Sequence, residues 1–543
     1  MTLARPSRRV RLLTAAAAAA LAALALPASA TTPATTPAAA APPEPTYRNY
    51  PAPAGLANGA GEPSIGANWK TGAALFQSNT QTLRVTFDDA AQPPKATWED
   101  RSDPLAVRSL DPILFTDSPL GRTYTSQLLL ACSIGAYTDD DGGSYQRSEG
   151  CGEGTAVDHQ TVGGGPYSKT LEPPHTYPHA FYYCAQYILS ENCARSDDGG
   201  RTFGPGVPIY NTPVNPGATL LNCAGLSGHL RVAPDGTAYV PNFDCDGKAS
   251  VTVSEDNGTT WQVRNVPSTT QDESDPSVAA DADNTLYFGW QEGKKNAEGS
   301  RAFIGVSRDR GKTWTNIQDA GAALGIKNVQ FPEVIAGSSG RAAYAFLGTP
   351  TAGDDQKGGQ ASQVPAKDVF PGVWHLYVSR TFDAGKTWRT VDVTPNDPVQ
   401  RGCVWLSGGS SSCRNLLDFY DITVDKQGRV LVGWADGCLN ACVTKPLGAT
   451  EIYDDPAHKP DYRAKHGTIT RQVGGLGLFA AQDATAAAPV SAPAGSSPQA
   501  PPAGRERAAR SALAATGASS AAALLAGVLL LCGLLLRRRT ARR

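Results

Sequence analysis

An eight-residue pattern recurs five times along this chain of 543 residues, and a fixed repeat restricts the accessible folds more than composition does. The pattern is hydroxyl-x-Asp-x-Gly-x-hydroxyl-aromatic. It reads Ser307-Arg308-Asp309-Arg310-Gly311-Lys312-Thr313-Trp314 in one copy and returns at residues 196–203 and 254–261. Looser copies, opening on threonine, lie at 138–145 and 381–388. From aspartate to aspartate (Asp140, Asp198, Asp256, Asp309, Asp383) the spacings are 58, 58, 53 and 74 residues. A period of this size means that each copy belongs to one supersecondary unit stacked on its neighbours.

Each octamer has a local physical reading. A short carboxylate and a hydroxyl fold back onto the N–H groups of a tight turn, glycine supplies a positive φ, and the aromatic re-enters the sheet to pack between units. A second element precedes most copies: an apolar strand, a turn with Asp or Gly, and another apolar strand. Examples run over residues 230–240 and 422–432, and others start near Ile65, Ile113, Val278 and Val334. The stretch 175–187 supplies one more. Seven units result, beginning near Glu62, Asp111, Tyr177, Ser227, Asp275, Phe331 and Asp418. Four-stranded units arranged radially make an all-β propeller, with seven blades on this count and six if the end copies merge. Tyr47-Arg48-Asn49-Tyr50 is a candidate outer strand to close the ring.

The octamers resemble the Asp-box of the sialidase-type, or BNR, β-propellers, over about residues 60–480. The resemblance implies a propeller with its ligand site at the central channel and its boxes on outer turns away from substrate. It also implies a glycan as ligand, with glycoside hydrolysis of the sialidase kind as the chemistry. Sialidases hold their acidic sugar with three arginines, whereas the first strand here reads Gly61-Glu62-Pro63-Ser64-Ile65-Gly66. An acid stands where a clamp is expected, so an anionic sugar meets repulsion. Arg231 and Arg401 are the alternative clamps. Tyr420, between Asp418 and Asp421, is the nearest match to the family's tyrosine nucleophile.

Aligning the inner strands puts polar residues at their entrances: Glu62, Asp111, His179, His229, Asp275, Glu333, Asp418 and Asp421. Such a ring supplies acid and base for glycosidic cleavage, with Asp275, Glu333, Tyr420 and Asp421 as the catalytic set and the others binding ligand. It also offers carboxylate and imidazole to a cation, calcium being the candidate, although no cofactor is required. The same residue types simply cap turns and line wet channels. Trp69, Trp290, Trp374 and Trp434 are candidates for stacking on sugars. No phosphate loop, nucleophile elbow or HExxH helix is present.

The two ends point to export. Arg5, Arg8, Arg9 and Arg11 precede the apolar run 12–26, and Ala28-Ser29-Ala30 is a small-x-small cleavage site, which makes residues 1–30 a signal peptide. Residues 31–58 form a Pro/Ala-rich linker, 59–478 the propeller and 479–512 an Ala/Pro/Ser-rich stalk. Residues 518–536 are 19 without a charge, followed by Arg537-Arg538-Arg539, a membrane span with its basic tail. Leu513-Ala514-Ala515-Thr516-Gly517 stands just before it, and the three parts in order look like a sortase sorting signal. That resemblance implies cleavage after Thr516 and attachment to the cell wall; a plain membrane anchor is the alternative.

Ten of the eleven cysteines fall into close pairs: Cys132/Cys151, Cys184/Cys193, Cys223/Cys245, Cys403/Cys413 and Cys438/Cys442. In an exported body they read as local disulfides. Without the nine terminal arginines the body carries 39 basic residues against 50 acidic ones, which argues against a nucleic-acid partner. The sequence therefore predicts a monomeric, wall-anchored ectodomain that hydrolyses or simply binds a glycan or surface polymer, with sortase as its partner during anchoring.

Overall fold

The computed structural model describes residues 43–483, apart from 110, 130–132, 150–156, 188–189, 211–222, 224–225, 269–273, 294–297, 358–369, 407–410, 412 and 445–458. Two sequence features, the signal peptide and the segment 489–543 with Leu513, Thr516, Gly517 and the apolar span, lie outside the described residues, as do Cys132 and Cys151. No helix of the described residues is long and apolar enough to cross a membrane.

Seven antiparallel sheets make a β-propeller of seven blades, each with a path of four strands. The innermost strands are, in order, Ser64–Ala67, Pro112–Asp117, Val157–Pro166, Arg231–Val232, Ser277–Ala280, Asn328–Ala336 and Asp421–Val424. The last blade takes its outer strand from the other end of the chain: Thr46–Pro51 pairs antiparallel with His466–Gly474. This outermost pairing joins the ends of the chain and leaves the wheel without a gap between first and last blades.

The octamers fold as one repeated device. In all five, the first hydroxyl donates to the aspartate, the glycine N–H donates to that hydroxyl, and the seventh residue donates its N–H and its hydroxyl to the same carboxylate. These bonds span 2.6–3.0 Å. Gly311 has φ +85° and a Cβ there would stand 2.9 Å from Val251 Cγ1, so turn and neighbouring blade both require glycine. The closing aromatics bind blade to blade: Phe203 packs edge-on against Tyr124, Trp261 against Tyr182 and Trp388 against Tyr287, each on the second strand of the preceding blade. Trp290, Trp374 and Trp434 are fully buried and serve packing.

The third blade differs from its sequence reading. Its innermost strand is Val157–Pro166, and His179 opens the second strand, His179–Tyr187. The inner strand carries Gly163-Gly164-Gly165, which lacks the branched or aromatic residues that mark a strand. The apolar run after His179 therefore took its place in the alignment.

Candidate functional site

The starts of the inner strands converge on the hub, and there the polar residues meet each other. His229 Nδ1 faces Glu333 Oε1 at 3.3 Å and Asp421 Oδ1 at 3.4 Å. Arg231 lies alongside, with Nη2 3.0 Å from Asp421 Oδ1 and 3.8 Å from Glu333 Oε2. Ser277 donates its hydroxyl to Glu333 at 2.9 Å. Asp421 also accepts the N–H of Ile65 at 3.1 Å and its own neighbour Ile422 at 2.8 Å. The fourth, fifth, sixth, seventh and first blades are thus tied together through two carboxylates.

A second group adjoins the first. His159, at the start of the third inner strand, has Nε2 3.6 Å from Asp275 and Nδ1 3.9 Å from Asp111. Phe419 stands edge-on to both imidazoles, at 4.9 Å from His229 and 6.0 Å from His159. Asp418 is held by both Nη groups of Arg414 at 2.5 Å. Glu62, His159, His229, Asp275, Glu333 and Asp421 are all buried, while Asp111 and Asp418 are partly exposed.

Burial dominates the electrostatics. Loss of water raises the carboxyls of Glu333 and Asp275 to about 7 each, although His229 and His159 respectively pull the other way. Glu62 is pushed up by burial and by the charges of Asp111 and Asp418. At Asp421 burial also opposes the charge, but His229, Arg231 and the backbone donor of Ile65 outweigh it and hold the carboxyl below its usual range. The hub therefore sets a carboxyl held low, Asp421, beside two raised to about 7, Glu333 and Asp275.

The expected ligands and catalysts fall in three places. Glu62, Asp111, His229, Asp275, Glu333, Asp418 and Asp421 gather at the hub as the strand alignment predicted. His179 does not; it pairs with Asp117 at 2.9 Å on the flank of a separate cavity. Tyr420 is packed in the apolar core against Phe331, and its phenol is pushed far above its ordinary range by burial and the nearby Glu333. Phe419, its neighbour just ahead of the strand, faces the hub imidazoles, while Tyr420 faces the core. His159, Arg231 and Arg414 complete the ring; Asp158-His159-Gln160 ahead of a glycine run was the only signal for the first.

The atoms of His229, Glu333 and Asp421 that could ligate a metal lie within 4.8 Å of one another. They do not fit calcium, which takes about six to eight oxygens. Both oxygens of Asp421 already accept N–H donors, among them the Arg231 guanidinium.

Cys184 bridges to its cross-strand partner Cys193, and Cys223–Cys245, Cys403–Cys413 and Cys438–Cys442 are also joined. At the opposite end of the channel, where the octamer turns lie, a cavity of about 620 Å³ runs inward until it meets Arg231 and Asp421.

No protein-family model matches the chain, and no curated protein matches it. Several solved structures align at low identity. A protein of unknown function from Dyadobacter fermentans is 12% identical, with a TM-score of 0.39 over 79% of this chain and 100% of its own. The GH74 xyloglucanase from Xanthomonas campestris is 13% identical, with a TM-score of 0.41 over 72% and 53%. The Hadza microbial sialidase Hz136 is 15% identical, with a TM-score of 0.35 over 60% and 62%.

Proposed function

We propose that this chain is an exported, wall-anchored propeller that binds a glycan or other surface polymer without cleaving it. The observation that carries this reading is the closed state of the hub. Asp275, Glu333 and Asp421 are buried, and each is answered by imidazole, guanidinium or backbone N–H. Glycosidase carboxyls flank the bond they cleave, roughly 5–10 Å apart with the sugar between them. Glu333 and Asp421 instead share one imidazole nitrogen, and Tyr420 is out of reach in the core. The glycan as ligand class rests on the likeness of the octamers to those of sialidase-type propellers.

Export is supported by the signal-peptide pattern and by the four disulfides. Anchoring is supported by the order of Leu-Ala-Ala-Thr-Gly, apolar run and arginines. The chain leaves the last blade at the octamer end and is fastened there. Arg380 donates to the Leu476 carbonyl at 2.6 Å, and Arg341 makes two bonds of 2.6 and 2.7 Å to Asp483. The polymer-binding face in this reading is the strand-start end of the channel, where the polar residues gather.

Hydrolysis is the second reading, and one observation favours it. Glu333 is raised to about 7 while Asp421 is held low, the split that separates a general acid from its partner base. A glycan array read beside a panel of fluorogenic glycosides, sialosides included, decides between them. Binding without turnover supports the proposal; turnover lost in Glu333→Gln establishes the enzyme.

A further inference from the structure

The cavity at the octamer end has a construction that the hub does not explain. Its walls come from the inner strands, through Ile65, Leu114, Val232, Ala279, Ile335 and Ile422. Trp69 and Phe479 stand at its mouth, in edge-on contact at 5.1 Å. At about 620 Å³ it lies within the roughly 300–1,000 Å³ of cavities that enclose whole small molecules.

Two polar pairs along the wall are satisfied by each other. Asp117 holds His179 at 2.9 Å, and Thr116 and Thr123 share a hydrogen bond of 2.8 Å. Arg231, at the inner end, is different. Its guanidinium has five N–H donors, yet among the described residues its one hydrogen bond is from Nη2 to Asp421, with Glu333 3.8 Å from the same nitrogen. A planar set of donors at the end of an apolar passage matches a carboxylate carried on an apolar body. A sugar would leave its hydroxyls facing hydrocarbon without partners. A cation would meet Arg231 first, since the oxygens of Asp421 already accept N–H groups.

We infer that this cavity is a binding site for an amphiphilic monocarboxylate of the fatty-acid class, with its head on Arg231 and its apolar body directed toward Trp69 and Phe479. The site opens on the side of the wheel away from the polar strand starts and meets them only at its inner end, at Arg231 and Asp421, so its mouth is separate from the polymer-binding face proposed above. It does not depend on that reading.

The test is photolabelling of the full chain with a diazirine-bearing dodecanoate, followed by peptide mapping. The label is expected on peptides that line the cavity, such as those with Trp69, Ile335 or Phe479. Dodecanoate should compete it away at least tenfold better than dodecanol does. Arg231→Gln should lower labelling about tenfold, and Ala280→Phe, which fills the cavity and keeps the arginine, should lower it as well. Equal competition by the alcohol, or labelling confined to other surfaces, overturns the assignment, and both are read on the unaltered protein.

Discussion

Arg231 of the fourth blade reaches Asp421 of the seventh at 3.0 Å, across 190 positions of sequence. Glu333 and His229 complete a buried group whose charges balance only when a proton is shared near neutrality.

That balance gives stability a definite pH dependence. Burial raises Glu333 and Asp275 to about 7, above the values they have when unfolded. The stabilisation from a raised carboxyl is complete below its unfolded pKa and is lost as pH rises through the folded one. Asp421, held low, contributes in the opposite sense, lost only in acid. Glu333→Gln stays neutral at every pH. Relative to wild type it should therefore gain on the order of 2 kcal/mol between about pH 5 and about pH 8. Urea unfolding at the two values measures this, and a difference that does not change with pH contradicts it.

The octamer turns should be worth nearly the same in each of the five blades that carry one. Asp309 accepts from Ser307, from the Thr313 N–H and from the Thr313 hydroxyl, and these bonds hold its carboxyl down at about 2 against some desolvation. Asp309→Ala should cost about 1–2 kcal/mol. The equivalent change at Asp383 should match it. Denaturation of both variants checks this, and no loss in either removes the turn as a staple.

Closure of the ring depends on the strand Thr46–Pro51. Tyr50 is buried against Phe87, and Asn49 accepts from Thr470 at 2.7 Å. A chain beginning after Pro51 leaves His466–Gly474 as an open edge. It should melt well below the intact protein and tend to associate, as thermal denaturation and light scattering would show. Unchanged melting would mean that the wheel closes by other contacts.

The sequence carried the fold because its strongest signals are local. Ser307, Asp309, Gly311 and Thr313 make their turn within one octamer, so the pattern and the bonds are the same object. The third inner strand was hidden because packing there requires glycine: a Cβ on Gly163 would lie 2.4 Å from the Leu230 carbonyl. With no side chains to form an alternating pattern, the strand of His159 does not stand out in the sequence, whereas the apolar run after His179 does. Strand starts could also be read without revealing what fills them. That Phe419 enters the hub and Tyr420 the core is a matter of one residue of register. That Asp421 is neutralised by Arg231 and His229 is a contact between two blades far apart in sequence, which no local pattern encodes.

The most direct measurement is turnover on the glycans that the purified protein binds. The account predicts saturable binding at the strand-start face and no released sugar from any bound glycan. Release of sugar that disappears in Glu333→Gln or Asp421→Asn, with binding retained, would contradict it and make the buried carboxylates an active site.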